Sequence, residues 1–282
     1  MVTLVVGASG YVGRNLCQLL SKTHEVYGTY FRNPVKITGK SVFLDIRDKQ
    51  GVSAFFQEIK PDLIYHLAYD REDLDASIVD GTRNLLEASA QWCPTSPFIF
   101  MSTDAVFDGE AGPFKETDEP KPIWDYGKAK RRAELEVLSS GSTVIRTSLV
   151  YGFDPLDPRT EELKQGLETG YFKYKYFEDE IRCPTFVDDL CGALIEIGER
   201  DNCTGDIFHV AGPEAINRYE FAEKLAFILG FEKPSIPHGY LSDSGFIRPK
   251  NLTLDISLTR ETLKTKIRTI EEVGELINSR LK

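Results

Sequence analysis

The chain has 282 residues, 41% hydrophobic and 28% charged, with 34 basic residues against 44 acidic ones and a net charge of −10. This composition supports a folded core and excludes a disordered tail or a disulfide miniature, and the length suits one full domain plus a smaller lobe. The acidic balance removes the positive surface needed to grip a nucleic-acid backbone or an anionic membrane.

The first apolar run, residues 1–6, is broken at once by Gly-Ala-Ser-Gly, and no later run is long enough to cross a bilayer. Neither a signal peptide nor a spanning helix is expected. Cys17, Cys93, Cys183, Cys191 and Cys203 are dispersed without a C-x-x-C pair and read as incidental thiols in a reducing, cytoplasmic setting. The histidines lie at no ligand spacing, so no metal is expected.

Taken in order, the spacing predicts a buried strand over 3–6, a glycine turn, and a helix whose Val12, Leu16, Leu19 and Leu20 fall at helical intervals. The alternation recurs as strands 25–30 and 42–44, helix 52–59, strand 63–68, helix 76–92, strand 98–102, helix 126–138 and strand 143–147. Six strands alternating with helices predict an α/β fold with a doubly wound, mostly parallel sheet over residues 1–152. After Gly152 the rhythm breaks. Residues 153–282 are expected to form a smaller, discontinuous substrate lobe, mobile over 153–180. The segment 184–211 is expected to return to the sheet with a strand at 207–210, and a helix is expected over 218–229.

Gly7-Ala-Ser-Gly10-Tyr-Val-Gly13 lies directly between the first strand and the first helix. Glycines there let backbone N–H groups approach a pyrophosphate at a helix N-terminus, which points to a dinucleotide. A free ribose 2′-hydroxyl is usually met by a carboxylate after the second strand, and a 2′-phosphate by a cation. The chain offers Thr29-Tyr-Phe-Arg32, so NADP is favoured and NAD stays open; Arg32 reads equally as a solvated surface residue. Asp45 is either an adenine-edge contact or a turn aspartate.

Tyr126-Gly-Lys-Ala-Lys130 places a phenol and an ammonium four apart on one helix face. A nearby cation stabilises phenolate and makes tyrosine a usable general acid near neutrality. Met101-Ser-Thr103-Asp104 supplies hydroxyls at a strand end, where a carbonyl oxygen is held. Together these are the parts of carbonyl reduction by a nicotinamide.

In this order the residues resemble the extended short-chain dehydrogenase/reductase superfamily, and more closely the dTDP-4-dehydrorhamnose reductase family. The matching motifs are the glycine turn, Ser102-Thr-Asp-Ala-Val-Phe-Asp-Gly109, Pro113-Phe-Lys-Glu-Thr-Asp118, Tyr126-Gly-Lys-Ala-Lys130, Arg146-Thr147, Val150-Tyr-Gly152, Pro184-Thr185 and Arg248-Pro-Lys-Asn251. The resemblance implies a Rossmann-type sheet and reduction of the 4-keto group of a nucleotide-linked deoxysugar by NAD(P)H. Tyr126 is then the proton donor, Lys130 tunes it and binds the nicotinamide ribose, and Thr103 holds the keto oxygen.

The expected cofactor contacts are Gly7, Ser9, Gly10, Tyr11, Val12 and Gly13 in the turn; Arg32, Asp45 and Ile46 at the adenosine end; and Leu67, Ala68, Tyr69, Tyr126 and Lys130 beyond. Asp104, Val106, Arg182 and Arg248 are expected at the substrate, the two arginines at its diphosphate. The expected partner is a nucleotide-sugar substrate, with a homodimer left open. The chain departs from the family's usual residues at Ala105, Leu149 and Asp80. The first two put the sugar in doubt more than the chemistry. The chain is also similar to the regulatory subunit of methionine adenosyltransferase, which keeps the fold and a similar Tyr/Lys pair, so a non-catalytic NADP-binding role stands as the alternative. Another sugar-nucleotide epimerase or reductase also stays open. A dehydratase is disfavoured because no glutamate follows Asp104.

Overall fold

A computed structural model describes residues 1–200, 205–245 and 247–280; Cys203 lies outside the described residues. Strands β1 (Val2–Val6), β2 (Glu25–Tyr30), β3 (Lys40–Phe43), β4 (Leu63–His66), β5 (Phe98–Thr103) and β6 (Thr143–Thr147) join the strand Ile207–His209 in one sheet. From one edge the order is Ile207–His209, β6, β5, β4, β1, β2, β3, and every neighbouring pair is parallel. The order reverses direction at β1, which places the carboxyl ends of β1 and β4 at the crevice where doubly wound sheets bind ligands. The central strands are covered on both faces. This is why β4 reads as an unbroken buried run rather than an alternating one.

On one face lie α1 (Tyr11–Leu20) and, from beyond the sixth strand, α6 (Val187–Gly198), around Leu16, Leu190 and Leu194. On the other lie α2 (Lys49–Ile59), α3 (Gly81–Trp92) and α4 (Asp125–Ser139), around Phe56, Leu85, Ala129 and Ala133. The return of the chain to the sheet at 207–209 matches the sequence expectation. The helix expected over 76–92 is two pieces: a π-helical stretch, Asp75–Asp80, runs into α3. Asp80 pairs there with Arg83 at 3.1 Å.

A third core gathers Tyr151, Leu163, Phe186, Phe221 and Leu225 from the remaining segments. The stretch expected to be mobile contains a 12-residue helix, α5 (Pro158–Thr169). Asp157 caps it by accepting from the N–H groups of Arg159 and Thr160, Pro158 occupies its first turn, and Gly170 ends it at φ 75°. Helix α7 (Arg218–Ile228) lies against α5. No helix among the described residues is long and apolar enough to cross a membrane.

Candidate functional site

Gly7 leaves β1 at φ +94°, a conformation open to glycine, and a Cβ on Gly13 would lie 2.3 Å from the Gly7 carbonyl oxygen. The turn therefore closes only with these residues. Gly10 precedes α1 without any side-chain cap, so the first N–H groups of that helix remain available to an anion. The turn forms one wall of a cleft of about 190 Å³, to which Ser9 also contributes. Asp45 and Ile46 line a second wall, and Leu67, Ala68 and Tyr69 a third. The bare cradle of backbone donors and the apolar walls fit a dinucleotide.

Two of the expected contacts point elsewhere with their side chains. The Tyr11 hydroxyl donates to the Pro155 carbonyl at 2.9 Å, tying α1 to the segment that leads into α5, and Val12 is buried in the core. Arg32 stands at the rim and is ion-paired to Asp70 at 2.6 Å and Glu72 at 2.9 Å. Asp45 is held by both Nε and Nη2 of Arg47, each at 2.8 Å, and this guanidinium keeps its carboxyl below the usual range. Arg47 and Phe31 escaped the sequence reading. The guanidinium carbon of Arg47 lies 4.5 Å from the Phe31 ring centre, and both residues line the cleft.

Thr103 ends β5, where its hydroxyl oxygen accepts from the Ala105 N–H at 3.2 Å and its hydroxyl donates to Asp104 Oδ1 at 3.1 Å. Tyr126, in the first turn of α4, packs its ring 5.3 Å from that of Tyr69. Burial, then Tyr69 and Asp104, raise the phenol's pKa well above its ordinary value, while the neighbouring Thr103 hydroxyl and Arg71 oppose the rise. The phenol is therefore fully protonated at neutral pH. One turn on, the ammonium of Lys130 donates to the Met101 carbonyl at 2.9 Å and lies 4.5 Å from the Phe100 ring centre. Burial pushes its pKa down to about 7, against the pull of Glu134.

That depression has a stability consequence. Between about pH 7 and 10.5 the unfolded chain holds a proton on this lysine that the folded chain has released, so this group makes stability rise with pH across that window and its penalty is full below it. Lys130→Met is expected to stabilise the fold by about 2–4 kcal/mol at pH 6 and by less than about 1 kcal/mol at pH 10, in urea titrations run at both pH values. A variant no more stable than wild type at pH 6 contradicts this burial penalty.

Behind these residues lies a network that the sequence reading did not assign. Glu134, fully buried on α4, accepts from Ser102 Oγ at 2.6 Å and from Arg146 Nε and Nη2 at 2.9 Å each. Arg146 is equally buried and meets His209 Nε2 at 3.4 Å, where burial and the guanidinium push the imidazole down to about 3. The available signal was position: Glu134 follows Lys130 by one helical turn.

Past the end of β5, Asp104 is buried and accepts from Ser148 Oγ at 2.6 Å; burial raises its pKa against the pull of Arg182, 3.9 Å away. Val106 is wholly buried beside it. Arg182 is 6% exposed and occupied, donating to the Ile181 carbonyl at 2.8 Å and pairing with Glu180 at 3.0 Å. Arg248, exposed, reaches the same Glu180 at 3.8 Å. A small adjoining pocket brings Arg159 and Arg218 beside Leu149 and Tyr176. Among the described residues no group of three or more His, Cys, Asp or Glu side chains is placed to hold a metal.

The parallel sheet with its glycine turn at the reversal of strand order defines the class: this is a Rossmann-type α/β protein. Within that class, the chain belongs to the family described as the RmlD substrate binding domain, whose family model matches residues 1–280. It is 29% identical over 295 residues to methionine adenosyltransferase 2 subunit beta of Rattus norvegicus, covering 96% of this chain and 85% of that protein. It is 30% identical over 239 residues to dTDP-4-dehydrorhamnose reductase of Aggregatibacter actinomycetemcomitans, covering 78% and 76% respectively. Among solved structures, a hypothetical dTDP-4-dehydrorhamnose reductase from Sulfolobus tokodaii superposes with a TM-score of 0.82 at 30% identity over 97% of this chain and 99% of that one. The enzyme of that name from Bacillus anthracis, solved in complex with NADP, gives 0.85 at 22% identity over 99% of each.

Proposed function

We propose that the protein is a reductase of the 4-keto group of a nucleotide-linked deoxysugar, using NADP with NAD as the alternative cofactor. The observation that carries the reading is the convergence, at the carboxyl end of β5, of a protonated, half-buried phenol, a strand-end hydroxyl and a buried lysine. Tyr69, which lines the cleft, packs against Tyr126 and has the Lys130 Nζ 5.5 Å from its ring centre. When bound, the cofactor supplies the hydride. Thr103 and Tyr126 hold the keto oxygen, and Tyr126 delivers its proton as negative charge develops there. Lys130, cationic below about pH 7 in the free protein, stabilises the phenolate left behind. Asp104 with Ser148 lines the sugar side, while Arg182 and Arg248 face the diphosphate, sharing Glu180 between them. The relatives that bear the reductase name support this reading.

The test follows NADPH oxidation at 340 nm against a panel of 4-keto-6-deoxy sugar nucleotides that differ in base and sugar. Turnover with at least one member is expected. A chain that binds NADPH and oxidises it with none of them contradicts the reading.

One observation favours a second role. The methionine adenosyltransferase 2 subunit beta of Rattus norvegicus matches 96% of the chain, so the fold and its Tyr/Lys pair also suit a cofactor-binding regulatory subunit. A partner co-purifying in stoichiometric amount, with no turnover by the chain alone, favours that role.

A further inference from the structure

Arg32 lies just past β2 and Asp70 just past β4, the two strands that flank β1, so their ion pair runs from one side of the glycine turn to the other. Arg32 Nη1 and Nη2 donate to the two Asp70 oxygens at 3.2 and 2.6 Å, and Glu72 brings a further oxygen to 2.9 Å. Asp70 is the fixed member of the pair: its N–H donates to Ser77 Oγ at 2.9 Å, and its Oδ1 also accepts from the Glu72 N–H at 3.1 Å. The Arg32 side chain, 47% exposed, is the one free to turn. The neighbouring cation, Arg47, is already held at both ends of its fork by Asp45. The rim thus carries two guanidiniums and three carboxylates, with both guanidiniums occupied.

Resting on the dinucleotide reading above, we infer that Asp70 and Glu72 determine cofactor specificity by competing with a ribose 2′-phosphate for Arg32. A 2′-hydroxyl is uncharged and asks nothing of Arg32, so NAD binds with the bridge intact. A 2′-phosphate brings about two negative charges to a rim already short of free cations. It is accommodated when Arg32 turns away from Asp70 and Glu72 and pairs with it in their place. The exchange replaces one partly exposed ion pair by another, so the carboxylates weaken NADP binding without excluding it. On the scale of such pairs the effect is about threefold to tenfold in affinity.

The inference is tested by direct titration of NADPH and NADH, followed by calorimetry, with wild type, Asp70→Asn, Glu72→Gln, Arg32→Gln and the double variant Arg32→Gln/Asp70→Asn. Asparagine keeps an acceptor for the Glu72 N–H, and a thermal melt verifies that each variant is folded. Asp70→Asn is expected to tighten NADPH about threefold to tenfold while moving NADH less than about twofold. Glu72→Gln, at the more exposed carboxylate, should give a smaller shift of the same sign. Arg32→Gln should weaken NADPH about tenfold or more and remove the gain from Asp70→Asn. Equal shifts for both nucleotides, no shift for NADPH, or a gain of full size without Arg32 overturns the competition. Wild-type chain that binds neither nucleotide overturns the dinucleotide reading itself, and this inference with it.

Discussion

Replacing Tyr126 with phenylalanine is expected to lower turnover ~10²–10⁴-fold while leaving NADPH affinity unchanged within about twofold. The substitution removes one oxygen. It leaves the ring contact with Tyr69, the glycine turn and the rim around Asp45 in place. What disappears is the proton donor, a phenol whose pKa is raised and which is fully protonated at neutral pH. A loss confined to kcat with the cofactor constant unmoved separates acid catalysis from a packing defect, because a packing defect weakens both. Activity equal to wild type removes Tyr126 from the mechanism.

Glu134→Ala is expected to destabilise the fold by about 3–5 kcal/mol, because it strands a guanidinium that has no access to water. Arg146 loses both of its short contacts, and Ser102 loses its acceptor at the end of the strand that carries Thr103. The melting temperature should fall by about 10 °C or more. Glu134→Gln keeps acceptor and shape and should fall less. Glu134→Ala combined with Arg146→Met should recover part of the loss, since removing both charges is far milder than removing one. A double variant less stable than Glu134→Ala contradicts the view that the stranded charge is the source of the damage.

The sheet was legible because parallel strands buried on both faces are short apolar runs bounded by turn residues. Strands β2 and β6 fall at the expected 25–30 and 143–147, and the return at 207–209 was visible as a lone run beyond the break in rhythm. Periodicity does not separate a π-helical turn from an α-helical one, so Asp75–Asp80 merged with the helix that follows it. Helix α5 was hidden by its polar surface, which buries little beyond Thr160, Leu163 and Gly166, although Asp157-Pro158 and Gly170 mark its ends.

At the candidate site, Thr103, Tyr126 and Lys130 were readable from their order along the chain, and the structure brings them together. The ion pairs around them were not. Arg32 and Asp70 are separated by 38 positions and meet only because β2 and β4 flank β1. Glu134 and Arg146 meet only because α4 packs on β5 and β6. No local period predicts such pairs, and these pairs decide which arginines are free to bind a ligand.

Among the described residues the strand Ile207–His209 is an edge of the sheet with β6 as its sole neighbour there. During synthesis the roughly 60 residues between Thr147 and Ile207 emerge over about 3–12 s, and throughout that interval β6 presents an unpaired edge. A ribosome stalled just after Gly152, or a gene cut there in the hope of isolating the nucleotide-binding half, yields a chain with this edge bare and His209 missing from beside Arg146. In that interval the growing chain exposes a strand edge that the finished fold covers.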